Sequence, residues 1–199
     1  PTEDFQTWGN ITAIGSFDLL NPTLKNFKYW LEGQGRFGND TSIFSQGILR
    51  VGLGYKISEK SSLWLGYAWV PTDEPFTKTA FDENRIWQQF LWSDKFSFGT
   101  LTSRSRLEQR FIPTGSDVGW RFRQMLKVSV PMPFAQDFSF VASDEYFANI
   151  NKTNYGADDG FDQNRAFAGI GYNFNKNIKT ELVYMNQYIR RPVGPDFMN

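Results

Sequence analysis

The 199-residue chain contains no cysteine and no histidine. Without cysteine there are no thiolate nucleophiles, no zinc-cysteine sites and no disulfides. Without histidine, the side chain most often used as a general base or metal ligand near neutral pH is missing. Long apolar runs are also missing. The longest, Leu63 to Val70 (LWLGYAWV), falls far short of the ~18 consecutive apolar residues that a membrane-spanning helix requires. Net charge is absent too, because 21 Lys and Arg balance 21 Asp and Glu. No basic excess therefore points to nucleic acid, whose phosphates demand one. The opening Pro1-Thr2-Glu3-Asp4 has neither the basic nor the apolar part of a signal peptide. Either the numbering begins after a cleaved leader or the chain was never exported.

What is present is aromatic. Phe, Tyr and Trp make up 18% of the residues, yet the mean hydropathy is only -0.46. Aromatic surface normally travels with a large apolar core, so this pairing suits apolar residues spread in alternation with polar ones. The alternation is visible. In Phe27 to Phe37 the odd positions are Phe, Tyr, Leu, Gly, Gly and Phe, and the even ones are Lys28, Trp30, Glu32, Gln34 and Arg36. Leu49, Val51, Leu53 and Tyr55 alternate with Gln46 and Arg50 across their strand, and Leu63, Leu65, Tyr67 and Trp69 follow after a turn. Period two is the signature of strands. It predicts ten of them, near 8–20, 27–37, 43–57, 63–71, 84–92, 96–111, 119–130, 138–149, 164–174 and 178–190. Turns near Ser58, Ser93 to Lys95 and Asn175 to Asn177 are tight, while connections at 72–83, 112–118 and 150–163 are long and polar.

Short turns alternating with long loops, around spans of about ten residues, predict a single domain over 1–199: an all-β, closed, antiparallel up-and-down transmembrane barrel. Hydrocarbon offers no partner to an open sheet edge, so strands survive there only when closed on themselves. Leu49, Val51, Leu53, Leu65, Leu126, Val128 and Leu182 are expected to face lipid. Trp8, Tyr29, Tyr55, Tyr67, Trp69, Trp92, Trp120, Tyr172 and Tyr184 are expected near the interfaces. The alternative is a soluble lipocalin-like barrel with its apolar face inward and an apolar ligand inside. Gly52-Leu53-Gly54-Tyr55 and Gly169-Ile170-Gly171-Tyr172 each stand twelve residues before another tyrosine, Tyr67 and Tyr184, and read as equivalent hairpins. Their glycines lie inside strands, where glycine marks a bend or a close approach rather than a nucleotide loop.

These residues carry a resemblance. GlyLeuGlyTyr with its turn and LeuGlyTyr, Glu83-Asn84-Arg85, the Arg104-x-Arg106-x-Glu108-x-Arg110 strand, Asp144-Glu145-Tyr146-Phe147 and Asp162-Gln163-Asn164-Arg165 before GlyIleGlyTyr resemble the DUF2490 group of bacterial outer-membrane barrels, from about Trp8 to Gly194. The resemblance implies a barrel in the outer membrane of a Gram-negative bacterium, with lipid and lipopolysaccharide as its surroundings, and implies no reaction. Such barrels commonly close on a C-terminal aromatic, whereas this chain ends Asp196-Phe197-Met198-Asn199 after a loop-like Arg191 to Pro195. Long loops after segments four, six and eight also put the start of the first strand on the outer side, against the even-stranded rule. The expectation is a twelve-stranded barrel, with one strand after Asn199 and one more unread or at the N-terminus.

Chemistry is sparse. There is no histidine base and no GxSxG elbow, so no enzyme is expected, although a serine-lysine or carboxylate-pair mechanism survives formally. No cofactor or metal is expected, and Asp158-Asp159-Gly160-Phe161-Asp162 reads as a solvated acidic loop rather than a calcium loop. The informative set is a charge cluster facing the lumen: Arg104, Arg106, Glu108, Arg110, Arg121, Arg123, Lys127, Glu145 and Arg165. With 112–119 as a hairpin connection, antiparallel pairing puts Glu108 near Arg123, Arg110 near Arg121 and Arg104 near Lys127. Two readings compete: a filled interior of paired charges, or a narrow pore favouring anions. The small diameter of such barrels favours the filled one.

Overall fold

The structure, a computed structural model, describes residues 5–190 and the backbone of 197–198. Eleven antiparallel strands form one sheet in strict sequence order. They are β1 Thr7–Ser16, β2 Phe27–Gly38, β3 Ile43–Lys56, β4 Ser61–Thr72, β5 Phe81–Phe96, β6 Gly99–Phe111, β7 Val118–Met132, β8 Ala135–Asn149, β9 Gly160–Asn173, β10 Lys179–Ile189 and β11 Phe197–Met198. There is no α-helix among the described residues, and none long and apolar enough to cross a membrane.

Ten of these are the strands that the alternation predicts, with three differences. The first strand stops at Ser16 because Ser16 and Asn21 accept hydrogen bonds from the backbone N–H groups of Asp18 and Thr23, capping two single-turn 3-10 helices. The Ser93 to Lys95 turn is not a turn. β5 runs on to Phe96, and residues 97–98 make the reversal. The short β11, unread in the sequence, pairs Phe197 with Ile189 and Met198 with Tyr188. Residues 191–196 lie outside the described residues, as does any strand beyond Asn199.

The sheet curls until its ends approach. Arg106 on β6 reaches across to the ring of Trp30 on β2, 5.9 Å from the centroid. Arg165 on β9 lies 4.8 Å from the centroid of Trp8 on β1. Among the described residues no backbone pairing joins β1 to β10 or β11, so the sheet is barrel-like with two edges. The loops 39–42, 73–80, 112–117 and 150–159 gather at one end and the shorter turns 57–60, 97–98, 133–134 and 174–178 at the other. Residues 17–26 also belong to the turn end.

Polarity is inverted relative to a soluble globule. Leu49, Val51, Leu53, Leu65, Leu126 and Leu182 are exposed on the convex face, from half to more than four-fifths open, and Val128 is half-buried. Tyr55, Tyr67, Trp69, Trp120 and Tyr184 are exposed with them. Polar side chains that share this face satisfy one another: Gln88 and Gln109 exchange two hydrogen bonds, Ser105 donates to Gln124, and Asn164 donates to Asp144. Trp8 departs from its expected place at the interface. It pairs with Arg36 across β1 and β2, which puts it on the concave face with Trp30, Glu32 and Gln34.

One row across the sheet explains the glycine motifs. Trp30, Gly52, Gly66, Trp87, Glu108 and Arg121 are successive register partners. A Cβ at Gly52 would stand 2.6 Å from the Trp87 ring, so the missing side chain lets the indole lie on the strand. Trp30, Trp64 and Trp87 then pack edge to face, with ring centroids 5.5 and 6.1 Å apart, and all three are buried. The twin hairpins are equivalent in register too, since Leu53 opposes Leu65 as Ile170 opposes Leu182. Gly52→Val should wedge the Trp87 ring off its strand and cost about 1–3 kcal/mol through overpacking. Urea unfolding of the detergent-folded protein measures this, and an unchanged midpoint would contradict the packing.

Candidate functional site: a charged interior

The concave face carries nine of the eleven arginines in the chain: Arg36, Arg50, Arg85, Arg104, Arg106, Arg110, Arg121, Arg123 and Arg165 all line one cavity of about 1660 Å³. Lysine sits elsewhere. Lys95, Lys127 and Lys179 reach the cavity near the turn end. The planar guanidinium, more weakly hydrated than an ammonium and able to form two parallel hydrogen bonds, suits the buried middle.

Four glutamates interleave with these arginines. Glu83 accepts two hydrogen bonds from Arg85, at 2.7 and 2.8 Å, and two from Arg110, at 2.5 and 3.0 Å. Glu108 takes Arg121 on one oxygen at 2.7 Å and Arg123 on the other at 2.8 Å. Glu145 binds Arg104 and Arg123, both at 2.7 Å. Glu32 binds Arg50 at 2.5 Å and accepts the Trp30 indole N–H at 2.9 Å. Glu83 and Glu108 are each only 1% exposed, which burial permits because both oxygens of each are engaged.

Arg106 is met differently. Two of its N–H groups donate to Gln89, at 2.9 and 2.6 Å, and its guanidinium lies over Trp87 at 4.9 Å. Arg123, Arg121 and Arg165 share the ring of Phe147, at 4.5, 5.4 and 4.8 Å. Cation-π contact thus supplements the carboxylates that the site lacks. Nine guanidiniums stand against four glutamates.

All nine residues expected in the lumen cluster lie on this face, but their pairing differs from expectation. β6 and β7 are offset by two residues: Glu108 opposes Arg121, Arg106 opposes Arg123, Arg110 opposes Gly119 and Arg104 opposes Met125. The connection is 112–117, with Phe111 paired to Val118, not 112–119. An offset of two leaves every side chain on its face and changes only its neighbours. Glu108 still reaches Arg123, now diagonally, whereas Arg110 turns back to Glu83 on β5. Lys127 is one diagonal step from Arg104 but pairs with Glu181 at 2.6 Å near the turn end, beside Lys179.

The sequence reading missed Arg36, Arg50, Arg85, Glu83 and the tryptophans as interior residues. The signal was present, since each has the inward parity of its strand. The interior is also less filled than expected. Side chains near the loop end, such as Gln6, Asn39 and Phe76, and near the turn end, such as Lys95, Gln136 and Asn177, line the same cavity. Outside it, the acidic loop is neutralised locally: Lys152 lies 3.7 Å from Asp158 and 3.6 Å from Asp159.

Glu108→Gln should leave Arg121 and Arg123 without the carboxylate they share and cost about 3–5 kcal/mol of stability. Lys127→Gln, at a more open pair, should cost about 0–1 kcal/mol. Equilibrium unfolding in detergent compares the two, and equal small losses would mean that the interior charges are screened by water.

Comparison with known proteins returns no activity. Residues 5–199 match the family described as "Protein of unknown function (DUF2490)". An uncharacterized protein of Methylorubrum extorquens is 34% identical over 194 residues, which cover 96% of this chain and 81% of the relative. No solved structure matches. The match spans nearly the whole sheet and all of the interior charge network, and the chain belongs to the DUF2490 family.

Proposed function

We propose that this chain is an outer-membrane β-barrel protein of a Gram-negative bacterium, and that its arginine-rich interior forms a narrow passage favouring anions. The carrying observation is the inversion of polarity: exposed Leu, Val, Ile and aromatic side chains outside, buried Arg and Glu within. In water, so broad an apolar exterior would be an aggregation hazard. In a bilayer it is the expected lipid-facing band, with lipid and lipopolysaccharide as its partners.

The aromatic rings support the same reading. Phe27 with Tyr55, Phe96 with Phe98, and Phe138 with Tyr172 pair near the turn end, while Phe37 with Phe44, and Phe161 with Tyr146 and Tyr188, pair near the loop end. Aliphatic residues such as Val51, Leu65, Leu126 and Ile170 lie between them, as interfacial girdles around a hydrocarbon core require. Closure of the sheet in the membrane belongs to this proposal, because an unpaired edge is not tolerated in hydrocarbon.

A passage is favoured over a purely structural plug because one cavity is lined from both ends. Anions are favoured because guanidiniums outnumber glutamates nine to five on its wall and behind it. The reading assigns no reaction and no cofactor. A soluble lipocalin-like barrel would need an apolar cavity to hold its ligand, and here nine arginines line the cavity.

Three measurements test this. Val51→Arg, in the middle of the aliphatic band, should cost about 2–4 kcal/mol of stability in lipid. The unmodified protein should migrate differently on gels before and after heating and give discrete, anion-favouring conductance in planar bilayers. Silence in the bilayer with heat-modifiable migration would leave a structural barrel, and a near-neutral Val51→Arg would remove the membrane assignment.

A further inference from the structure

Two of the interior arginines have no carboxylate among the described residues. Arg36 donates to the side-chain oxygens of Gln46, at 2.7 Å, and Gln34, at 3.1 Å. Arg165 donates to Gln163 at 3.3 Å. The cross-strand neighbour of Arg165 is Glu145, but its carboxylate is already shared by Arg104 and Arg123. Neutral amides orient a guanidinium without cancelling its charge.

These two arginines are held against the same ring. The Arg36 guanidinium carbon lies 3.9 Å from the Trp8 ring centroid and that of Arg165 lies 4.8 Å from it. They come from β2 and β9, on opposite sides of the seam between the ends of the sheet, and both line the cavity toward the loop end. Their separation cannot exceed the two ring distances taken together. Within that limit one anion of several atoms with charge at both ends can reach both guanidiniums. The Nε of Arg36 is buried without a hydrogen-bond partner in the structure, so the site has donor capacity left over.

We infer that Arg36 and Arg165, braced by Trp8, form a binding subsite for a polyvalent oxyanion bearing phosphate or carboxylate groups. The inference rests on the charged interior described above and gives the proposed passage a substrate class. Each guanidinium offers two roughly parallel N–H donors to an oxyanion. Trp8 disperses the charge of both cations while the site is unliganded.

Isothermal titration of the full chain, folded in detergent, with pyrophosphate and separately with citrate tests the subsite. Binding by at least one is expected, weakened about tenfold in Arg36→Gln and about tenfold in Arg165→Gln, as loss of charge-assisted hydrogen bonds predicts. Arg36→Lys and Arg165→Lys should retain part of the affinity. Tighter pyrophosphate assigns phosphate chemistry, and tighter citrate assigns carboxylates. Displacement of pyrophosphate by lipopolysaccharide would place the phosphate on a lipid headgroup, and no displacement would place it on a solute.

Should the Gln variants fail to fold, the indole NMR resonance of Trp8 in the unmodified protein, assigned with Trp8→Phe, should shift on titration while those of Trp64 and Trp87 do not. No binding of either anion, binding unchanged in the Arg36→Gln/Arg165→Gln double variant, or a static Trp8 signal at saturation would each overturn the subsite. The titration needs no membrane, so absent conductance would remove the passage and leave the binding result standing.

Discussion

A guanidinium cut off from water must find an acceptor at hydrogen-bond distance, and in this protein the acceptors are placed by strand register. Glu108 sits in the row that contains Arg121, one step diagonally from Arg123. Glu83 is flanked by Arg85 on its own strand and reached by Arg110 from the next. None of these contacts survives an odd slip of register, because an odd slip carries the charged set to the convex face. The network therefore specifies the pairing of β5 to β8 as firmly as the backbone hydrogen bonds do, in addition to whatever stability it contributes.

The apolar counterpart lies on the neighbouring strands. From β2 to β5 the concave face holds three tryptophans, of which Trp64 and Trp87 lie over glycine, beside the Arg50–Glu32 and Arg85–Glu83 pairs, and from β6 to β9 it is filled by ion pairs and Phe147. Arg106 joins the halves, with its guanidinium against Trp30 and Trp87 and its hydrogen bonds on Gln89. The cavity is consequently eccentric: its lining takes in Trp30 but neither Trp64 nor Trp87.

Much of this was legible in the sequence, for a physical reason. Period two survives any strand environment, so ten strands and the face of most side chains, including all nine of the expected charge cluster, followed from alternation alone. Neighbour relations did not. Placing Glu108 opposite Arg121 rather than Arg123 required the length of the loop at 112–117, and alternation is indifferent to a shift of two. Trp8 was misplaced because aromatic identity suggests an interface, whereas its parity relative to Arg36 decides the matter. The tryptophan cluster was not read because Trp64 and Trp87 carry no charge to mark the polar face, although Trp30 shares the parity of Glu32 and Arg36. Its clue was Gly52 and Gly54, whose inward parity makes room for rings.

The order of the strands has a consequence for assembly. Most interior ion pairs between strands join neighbours in sequence, Arg50 with Glu32, Arg110 with Glu83, Arg121 with Glu108 and Arg123 with Glu145, whereas Arg104 with Glu145, Arg121 with Asp162 and Lys127 with Glu181 skip at least one strand. Each charge can be neutralised as soon as its own hairpin or the next one zips. The reversals at 97–98 and 133–134, two residues each, make the β5–β6 and β7–β8 hairpins short closures with little loop entropy to overcome. The sheet can thus cancel most of its internal charge strand by strand before it curls. The late step that brings β9 against β1 joins Arg165 to Trp8, a cation to an aromatic face, and among the described residues adds no new opposite charge to the seam.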